Sequence, residues 1–160
     1  MTGIADRDFG ELNFDGVWTG LFELLIFGSV RKVELVIQVF DEDSISEVQR
    51  LAFREFDLNK NSVSMAVEKA VFSYYFRRVK EYREGFDADE VTIKAPKVHA
   101  VDDMRDLVSL RCIKVMSPFD SGSRQIGFIF DATFDPQLGL GVLVTNGSVE
   151  TVDTQDFLLG

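Results

Sequence analysis

The chain has 160 residues, of which 46% are hydrophobic and three are proline, so we predict one folded domain rather than a disordered segment. The formal net charge of −10 argues against direct binding of nucleic acid, because phosphate backbones attract basic surfaces. A single cysteine, Cys112, excludes an intramolecular disulfide and favours a reducing, cytoplasmic location. The N-terminus lacks a basic segment before an apolar one, and the most apolar window, 17–30, is short and contains Glu23. We therefore expect neither a signal peptide nor a membrane span.

The N-terminal quarter predicts a meander of three strands. Residues 9–14 alternate between apolar and polar, and Asp15-Gly16 is a tight-turn signal. Residues 17–27 follow as a second strand that is apolar on both faces, so we expect it to be covered on both sides. Residues 32–40 alternate more regularly and predict the third strand.

A first helix is predicted at about 44–57. Ser44 and Glu47 have the spacing of a capping box, in which each side chain bonds a backbone N–H near the other. The acidic run 41–43 precedes them and suits the positive end of a helix dipole. Apolar residues then recur at helical intervals, so one face of the helix is expected to be buried.

A second helix is predicted at about 62–84, with Ser62 as its cap and Gly85 as its stop. Its first half is apolar on more than one side, which indicates contact with the sheet and with something else as well. We expect its large side chains to pack in the core, among them Phe72, Tyr75 and Phe76.

The rest of the chain predicts one short helix and a set of strands. Residues 91–94 are expected to be a short strand or extended coil before Pro96, and 101–108 a short third helix. Asn146-Gly147 has the sequence of a type I′ hairpin turn. The expected C-terminal strands are about 110–116, 125–134, 140–145 and 148–152.

These elements predict a single α+β domain, 1–160, with a largely antiparallel sheet. The sheet consists of the N-terminal three-strand meander and the C-terminal strands, packed against the helices at about 44–57 and 62–84 and the short helix at about 101–108. Segregated strands and helices favour this arrangement over alternating βαβ units.

The residue types needed for common catalytic and metal sites are scarce, so we expect no catalytic residues, no cofactor and no metal site. His99 is the only histidine, and with one cysteine the usual zinc sites are missing. Cys112 lies in an apolar run and is expected to act as a small hydrophobic residue. The glycines of 139–141 lack the third glycine of a dinucleotide site, and a bend between strands is the better interpretation.

Two stretches resemble a bacterial family of uncharacterised domains. The first comprises 49–56 and 67–75, where the family has a Gln…Ala-Tyr/Phe helix followed by a helix ending in paired tyrosines. The second is 130–156, which contains Phe-Asp-Pro-Gln-Leu-Gly-Leu-Gly-Val at 134–142, where the family has aromatic-Asp-x-Glu-His-Gly-(Leu/Val)-Gly-Val. Gln137-Leu138 thus replaces the family's Glu-His, and any chemistry that this pair carried is lost here.

Genes of such families often lie beside polymorphic toxins, so the resemblance implies a cytoplasmic immunity protein that binds and occludes a cognate, basic toxin. We expect neither nucleic acid nor membrane as a direct partner, and the sequence leaves the oligomeric state open. Acidic residues in exposed loops are the candidate partner contacts. These residues are Asp87, Asp89, Glu90, Asp102, Asp103 and Asp120.

Two other functions remain open at this stage. A small enzyme using carboxylates predicts a concave site in which several acids have shifted pKa values. A self-associating structural domain predicts an oligomer in light scattering. The gene neighbourhood distinguishes the immunity protein from the enzyme, because a neighbouring toxin gene favours immunity and a metabolic operon favours an enzyme.

Overall fold

A computed structural model describes residues 2–40, 44–117 and 122–159 of the chain. Within these residues a single eight-stranded sheet has its strands in the same order as the chain. The strands are β1 (Thr2–Asp6), β2 (Gly10–Phe14), β3 (Trp18–Ile26), β4 (Ser29–Ile37), β5 (Val108–Val115), β6 (Gln125–Ala132), β7 (Leu140–Thr145) and β8 (Ser148–Asp153).

The α-helices of the described chain, and one of its two 3₁₀ helices, lie between β4 and β5. They are α1 (Glu47–Leu58), α2 (Lys60–Glu84), α3 (Ala88–Lys94) and a 3₁₀ helix, Val101–Met104. Because the chain crosses over the sheet through these helices, β4 and β5 are parallel, whereas the other neighbouring strands are antiparallel. No helix among the described residues has the length and apolarity needed to cross a membrane.

The main core lies between the sheet and helices α1 and α2. Aromatic rings from both layers meet there, with Phe22 on β3 contacting Phe53 and Phe56 on α1. Phe56 also packs edge-on against Phe128 of β6, with ring centroids 5.6 Å apart. Edge-to-face and tilted ring pairs stabilise a core beyond the area that they bury. The frequent phenylalanines of this chain therefore hold α1 against the sheet.

A smaller apolar cluster lies on the other face of the sheet, which we call the open face. Cys112 and Ile129 point to this side and are covered by Leu158, which belongs to a C-terminal 3₁₀ helix, Gln155–Leu158. The Lys114 ammonium donates a 2.6 Å hydrogen bond to the Leu158 carbonyl and holds this segment in place. The C-terminal segment thus docks on the open face, away from helices α1 and α2.

The capping box of helix α1 lies two residues further along the chain than the sequence predicted. Ser46 is the cap: its hydroxyl accepts from the Gln49 N–H at 3.2 Å, and the side-chain oxygen Oε1 of Gln49 accepts from the Ser46 N–H at 3.1 Å. The Gln49 side chain is 2% exposed, and its amide also donates to the carbonyls of Gln38 and Val115. These carbonyls follow β4 and end β5, so Gln49 joins the helix to the parallel pair. The acidic run 41–43 lies outside the described residues.

A second polar contact holds the N-terminal hairpin against α1. The Arg50 guanidinium donates two hydrogen bonds to Asp6, at 3.0 and 2.9 Å, and one to Asp8 at 2.9 Å. The Asp6 side chain is only 6% exposed. The hydrogen bonds from Arg50 lower the pKa of Asp6 to about 2, against the opposing effect of burial.

The two sharpest hairpins use residues with positive φ. Asn146 and Gly147 have φ of 51° and 86°, which confirms the predicted turn between β7 and β8. Phe27 and Gly28 make the turn between β3 and β4, with φ of 48° and 77°. Phenylalanine is unusual in this conformation. The Phe27 N–H donates a 2.7 Å hydrogen bond to Glu68, and its ring is buried against Phe130, so tertiary contacts hold the strained residue.

The predicted fold class is wrong as a description of this architecture. The sheet is mostly antiparallel, as expected, but its strands run through the whole chain as one eight-stranded sheet and not as a meander plus a C-terminal set. Strand β1 was missed because its residues do not alternate, and its pairing with β2 defines it. The two main helices span 47–58 and 60–84 instead of 44–57 and 62–84. They share Asn59 as end and start, and Ser62 lies inside the second.

The third helix was also placed wrongly. Residues 91–94, expected to be a short strand or extended coil, belong to α3, which spans 88–94. Asp87 has the extended conformation of an N-cap, and Glu90 forms an ion pair with Lys94. The segment predicted as a helix at 101–108 begins with one 3₁₀ turn, and Val108 already begins β5. Pairing with β6 takes Val108 into the sheet, which periodicity alone does not show.

Strand β3 is not covered on both sides. Phe22, Leu24 and Ile26 face the core, whereas Leu21 and Leu25 on the open face are 62% and 50% exposed. The α-helices cover one face of this sheet, and the C-terminal 3₁₀ helix on the open face lies against β6 and β7, so the second apolar face of β3 is exposed.

Candidate functional site

An apolar groove of about 620 Å³ lies between α2, α3 and the segment that follows α3. We call it the α2–α3 groove. Its apolar lining is Phe76, Val79, Phe86, Val91 and Val98. Its polar lining is Lys80, Arg83, Glu84, Lys97 and His99.

Buried contacts fix the wall of the groove formed by residues 95–99. The Tyr75 hydroxyl donates a 2.6 Å hydrogen bond to the Pro96 carbonyl, and Arg83 donates one of 2.8 Å to the Ala95 carbonyl. Ala95 and Val98 are 0% and 4% exposed. Burial raises the pKa of Tyr75 to about 12, so this hydroxyl remains a donor at neutral pH. The groove is therefore a formed feature of the fold.

The aromatic residues of α2 are divided between the core and the groove. Tyr75 is fully buried and contacts Phe134 with ring centroids 4.5 Å apart. Phe76 is 55% exposed at the edge of the groove, and the half-buried Phe72 packs against it at 5.6 Å. The expectation that all three rings are spent on the core is therefore wrong for Phe76, which points away from the sheet because it follows Tyr75 by one residue.

The charges lining the groove differ from the charge of the whole chain. Lys80, Arg83 and Lys97 bring three cations to it, and Glu84 brings one carboxylate. Neither lysine forms an ion pair with a described residue, whereas Arg83 is partly engaged by the Ala95 carbonyl. A chain of net charge −10 thus has a locally basic groove.

The predicted partner contacts are close in the chain to residues that line this groove. Asp87, Asp89 and Glu90 are exposed around the first turn of α3, between the groove residues Phe86 and Val91. Glu90 pairs with Lys94 at 3.7 Å.

Asp102 and Asp103 are exposed on the 3₁₀ helix beyond His99. Asp103 accepts hydrogen bonds from the backbone N–H groups of His99 and Ala100, at 2.7 and 3.0 Å, which lowers its pKa. Asp120 lies outside the described residues. The five described residues of this prediction are exposed, and none of them lines the groove.

Sequence reasoning missed the apolar part of this groove. Val79 lies on α2, Phe86 and Val91 flank the start of α3, and Val98 belongs to the following segment, so four residues spread over twenty positions meet in space. The available signal was the apolar character of α2 on more than one side. Because residues 91–94 were expected to be extended, the sequence did not predict a helix whose apolar residues could lie against α2.

The other titratable groups fit structural roles. Cys112 is 7% exposed, and burial raises the pKa of its thiol to about 11. His99 is an exposed residue on the wall of the groove. Among the described residues, the carboxylic acids whose pKa values are shifted are Asp6 and Asp103. Both pKa values are lowered mainly by hydrogen bonds, and neither residue lines the groove.

The glycines of 139–141 provide room for the C-terminal segment. A Cβ on Gly139, whose φ is +55°, would overlap the Gln155 amide and the Phe130 carbonyl. A Cβ on Gly141 would lie 2.9 Å from the side chains of Phe157 and Leu158. At the position where the resembled family has Glu-His, Leu138 is exposed, and its carbonyl accepts a hydrogen bond from the Gln155 N–H. This motif therefore anchors the C-terminus here.

The fold and the groove define the structural class of this protein. It is a single-sheet α+β domain with its α-helices on one face and an apolar groove between α2 and α3. The chain belongs to a family described as a domain of unknown function, DUF6985, whose model matches residues 8–159. That match confirms the coarser part of the resemblance, a family of uncharacterised domains, and its description assigns no activity. Searches of curated proteins and of solved structures returned no match.

Proposed function

We propose that this chain is a non-enzymatic protein-binding domain. The observation that carries the proposal is the α2–α3 groove, where an exposed aromatic ring, Phe76, lies among apolar side chains, with exposed acids in the segment 87–90 between two of its lining residues. Exposed apolar grooves with polar borders are typical of surfaces that contact a partner. The apolar lining supplies contact area, and the exposed acids select the charge of the partner.

The finer proposal is an immunity protein that binds and occludes a cognate bacterial toxin in the cytoplasm. It is supported by the resemblance at 49–75 and 130–156 and by the net charge of −10. A negative field accelerates association with a basic partner and selects against acidic ones. Occlusion needs only a stable complex over the partner's active site, so the domain requires no chemistry of its own.

The test is binding to the product of the neighbouring gene. We expect a complex whose association rate falls about tenfold when Asp87 and Asp89 are both replaced by lysine, because long-range attraction governs encounter. The matched control replaces Glu23 and Glu34 by lysine, which changes the net charge equally but on the open face of the sheet. Cells that express the toxin should survive with the wild-type chain and with the control.

Two results would contradict the proposal. Absence of binding together with absence of protection removes the immunity function. Equal slowing by both double variants shows that total charge governs association, and it removes Asp87 and Asp89 from the partner surface. Light scattering of the same preparation tests self-association, since an oligomer would favour the structural-domain alternative.

A further inference from the structure

The α2–α3 groove has the size and lining of a site for a small molecule. Its volume of about 620 Å³ falls within the roughly 300–1,000 Å³ typical of ligand pockets. Val98, which is 4% exposed, belongs to its innermost part, and half-buried Val79, Phe86 and Val91 form its walls. Three separate segments of the chain thus converge on one apolar cavity.

The cations of the groove determine which molecule complements it. Lys80 and Lys97 are exposed, line the cavity, and form no ion pair with a described residue. The five described acids of the predicted partner contacts are absent from the lining, where Glu84 is the one carboxylate among the described residues. A molecule with an apolar body can pack against the apolar walls, and an anionic head group can form ion pairs and hydrogen bonds with the two lysines.

We propose that the groove binds a small organic carboxylate with an apolar body. Charge complementarity favours a carboxylate over an amine or a neutral alcohol of the same length, because the carboxylate carries the charge opposite to that of the lysines and accepts hydrogen bonds from them, whereas the amine is itself a cation and the alcohol is uncharged. The site depends on the groove alone and does not depend on the proposed protein partner. The proposal goes beyond the proposed function, because it assigns a small-molecule ligand to the groove from which the protein-binding surface was inferred.

The test uses decanoate as the probe, with decanol and decyltrimethylammonium as length-matched controls, all below their micelle-forming concentrations. We expect saturable calorimetric binding of decanoate, with amide shifts in the NMR spectrum at Val79, Val91 and Val98. Replacing Lys80 and Lys97 by methionine keeps the apolar stems and should weaken binding at least about tenfold. The control double variant, Lys32→Met with Lys69→Met, removes two exposed lysines outside the groove and should leave binding unchanged.

Several outcomes overturn this proposal. They are equal binding of decyltrimethylammonium, insensitivity to the Lys80 and Lys97 changes, amide shifts confined to other surfaces, or no decanoate binding up to about 1 mM, the weak limit of specific affinity. If Phe76→Ala weakens binding of the protein partner and decanoate does not bind, we infer that a side chain of the partner occupies the groove instead. Partner binding is measured separately, so its failure leaves the decanoate result interpretable.

Discussion

Replacing Gln49 by methionine tests whether one buried amide holds the parallel strands to the helices. Gln49 is 2% exposed and donates to the carbonyls of Gln38 and Val115, beside the pairing of β4 with β5. Methionine has a similar unbranched shape and a similar helix propensity, so the change removes hydrogen bonds with little change in volume.

The expected loss of stability follows from the bonds removed. The side-chain amide donates to the carbonyls of Gln38 and Val115, the second bond being long at 3.4 Å. Its oxygen accepts from the N–H and the hydroxyl of Ser46. A net contribution of about 0.5–1 kcal/mol for each of these bonds gives a destabilisation of about 2–4 kcal/mol. Ser46→Ala keeps both bonds to the carbonyls and removes the two bonds of the Ser46 hydroxyl, one from the Gln49 N–H and one to the Gln49 side chain, and it should cost about 1 kcal/mol.

The measurement is urea unfolding followed by circular dichroism and by the fluorescence of Trp18, the only tryptophan. The two variants separate the cap from the bridge between helix and strands, because Ser46→Ala keeps the bonds to the strand carbonyls. If both variants lose the same stability, the buried amide contributes nothing beyond capping, and the reasoning about the parallel pair is refuted.

Three further predictions concern other buried contacts. Folding lowers the pKa of Asp6 from 3.8 to about 2, so the ionised Asp6 side chain contributes about 2 kcal/mol to the free energy of unfolding above pH 4, and this contribution is lost as the pH falls towards 2. The free energy of unfolding of Asp6→Asn should therefore depend less on pH between about 4 and 2. Gly139→Ala should cost more than about 3 kcal/mol in chemical unfolding, because its Cβ overlaps Gln155 and a backbone carbonyl. Gly147→Ala, also at positive φ but in open space, should cost about 1 kcal/mol. At pH 8 the Cys112 thiol, with a pKa raised to about 11, should react with a disulfide reagent at least about 100-fold more slowly than in urea.

Each of these has a clear contrary result. Parallel pH profiles of wild type and Asp6→Asn would show that the Arg50 contact contributes nothing to stability. Similar costs for the two glycine variants would show that backbone conformation alone matters and that the C-terminal segment exerts no constraint. Rapid labelling of native Cys112 would show that the C-terminal cover opens readily.

Local patterns predicted several elements correctly. Strand β7 spans the predicted residues 140–145, Asn146-Gly147 forms the predicted turn, and Gly85 ends α2. These features depend on neighbours in the chain, through side-chain alternation and the backbone freedom of asparagine and glycine. The acids of α3 and of the 3₁₀ helix are exposed for a similar reason, since charged residues seldom lie in a core.

The errors arose where distant residues decide the outcome. Two overlapping capping boxes, at Ser44 and Ser46, are equally good locally, and the structure uses the second, where the Gln49 amide meets two strand carbonyls. Strand β1 exists through its pairing with β2. The groove requires α3 to be helical and to lie beside α2, which no local pattern specifies.

The sequence by itself determined a folded acidic chain with antiparallel hairpins, a long aromatic helix and acidic side chains facing solvent, because charge, periodicity and turn chemistry act over a few residues. Only the tertiary structure decided that all strands join one sheet, that one of its faces is largely without a helical layer, and that Phe76 borders a groove. Those features arise from pairings between residues far apart in the chain, and the free energy of such contacts depends on the whole fold.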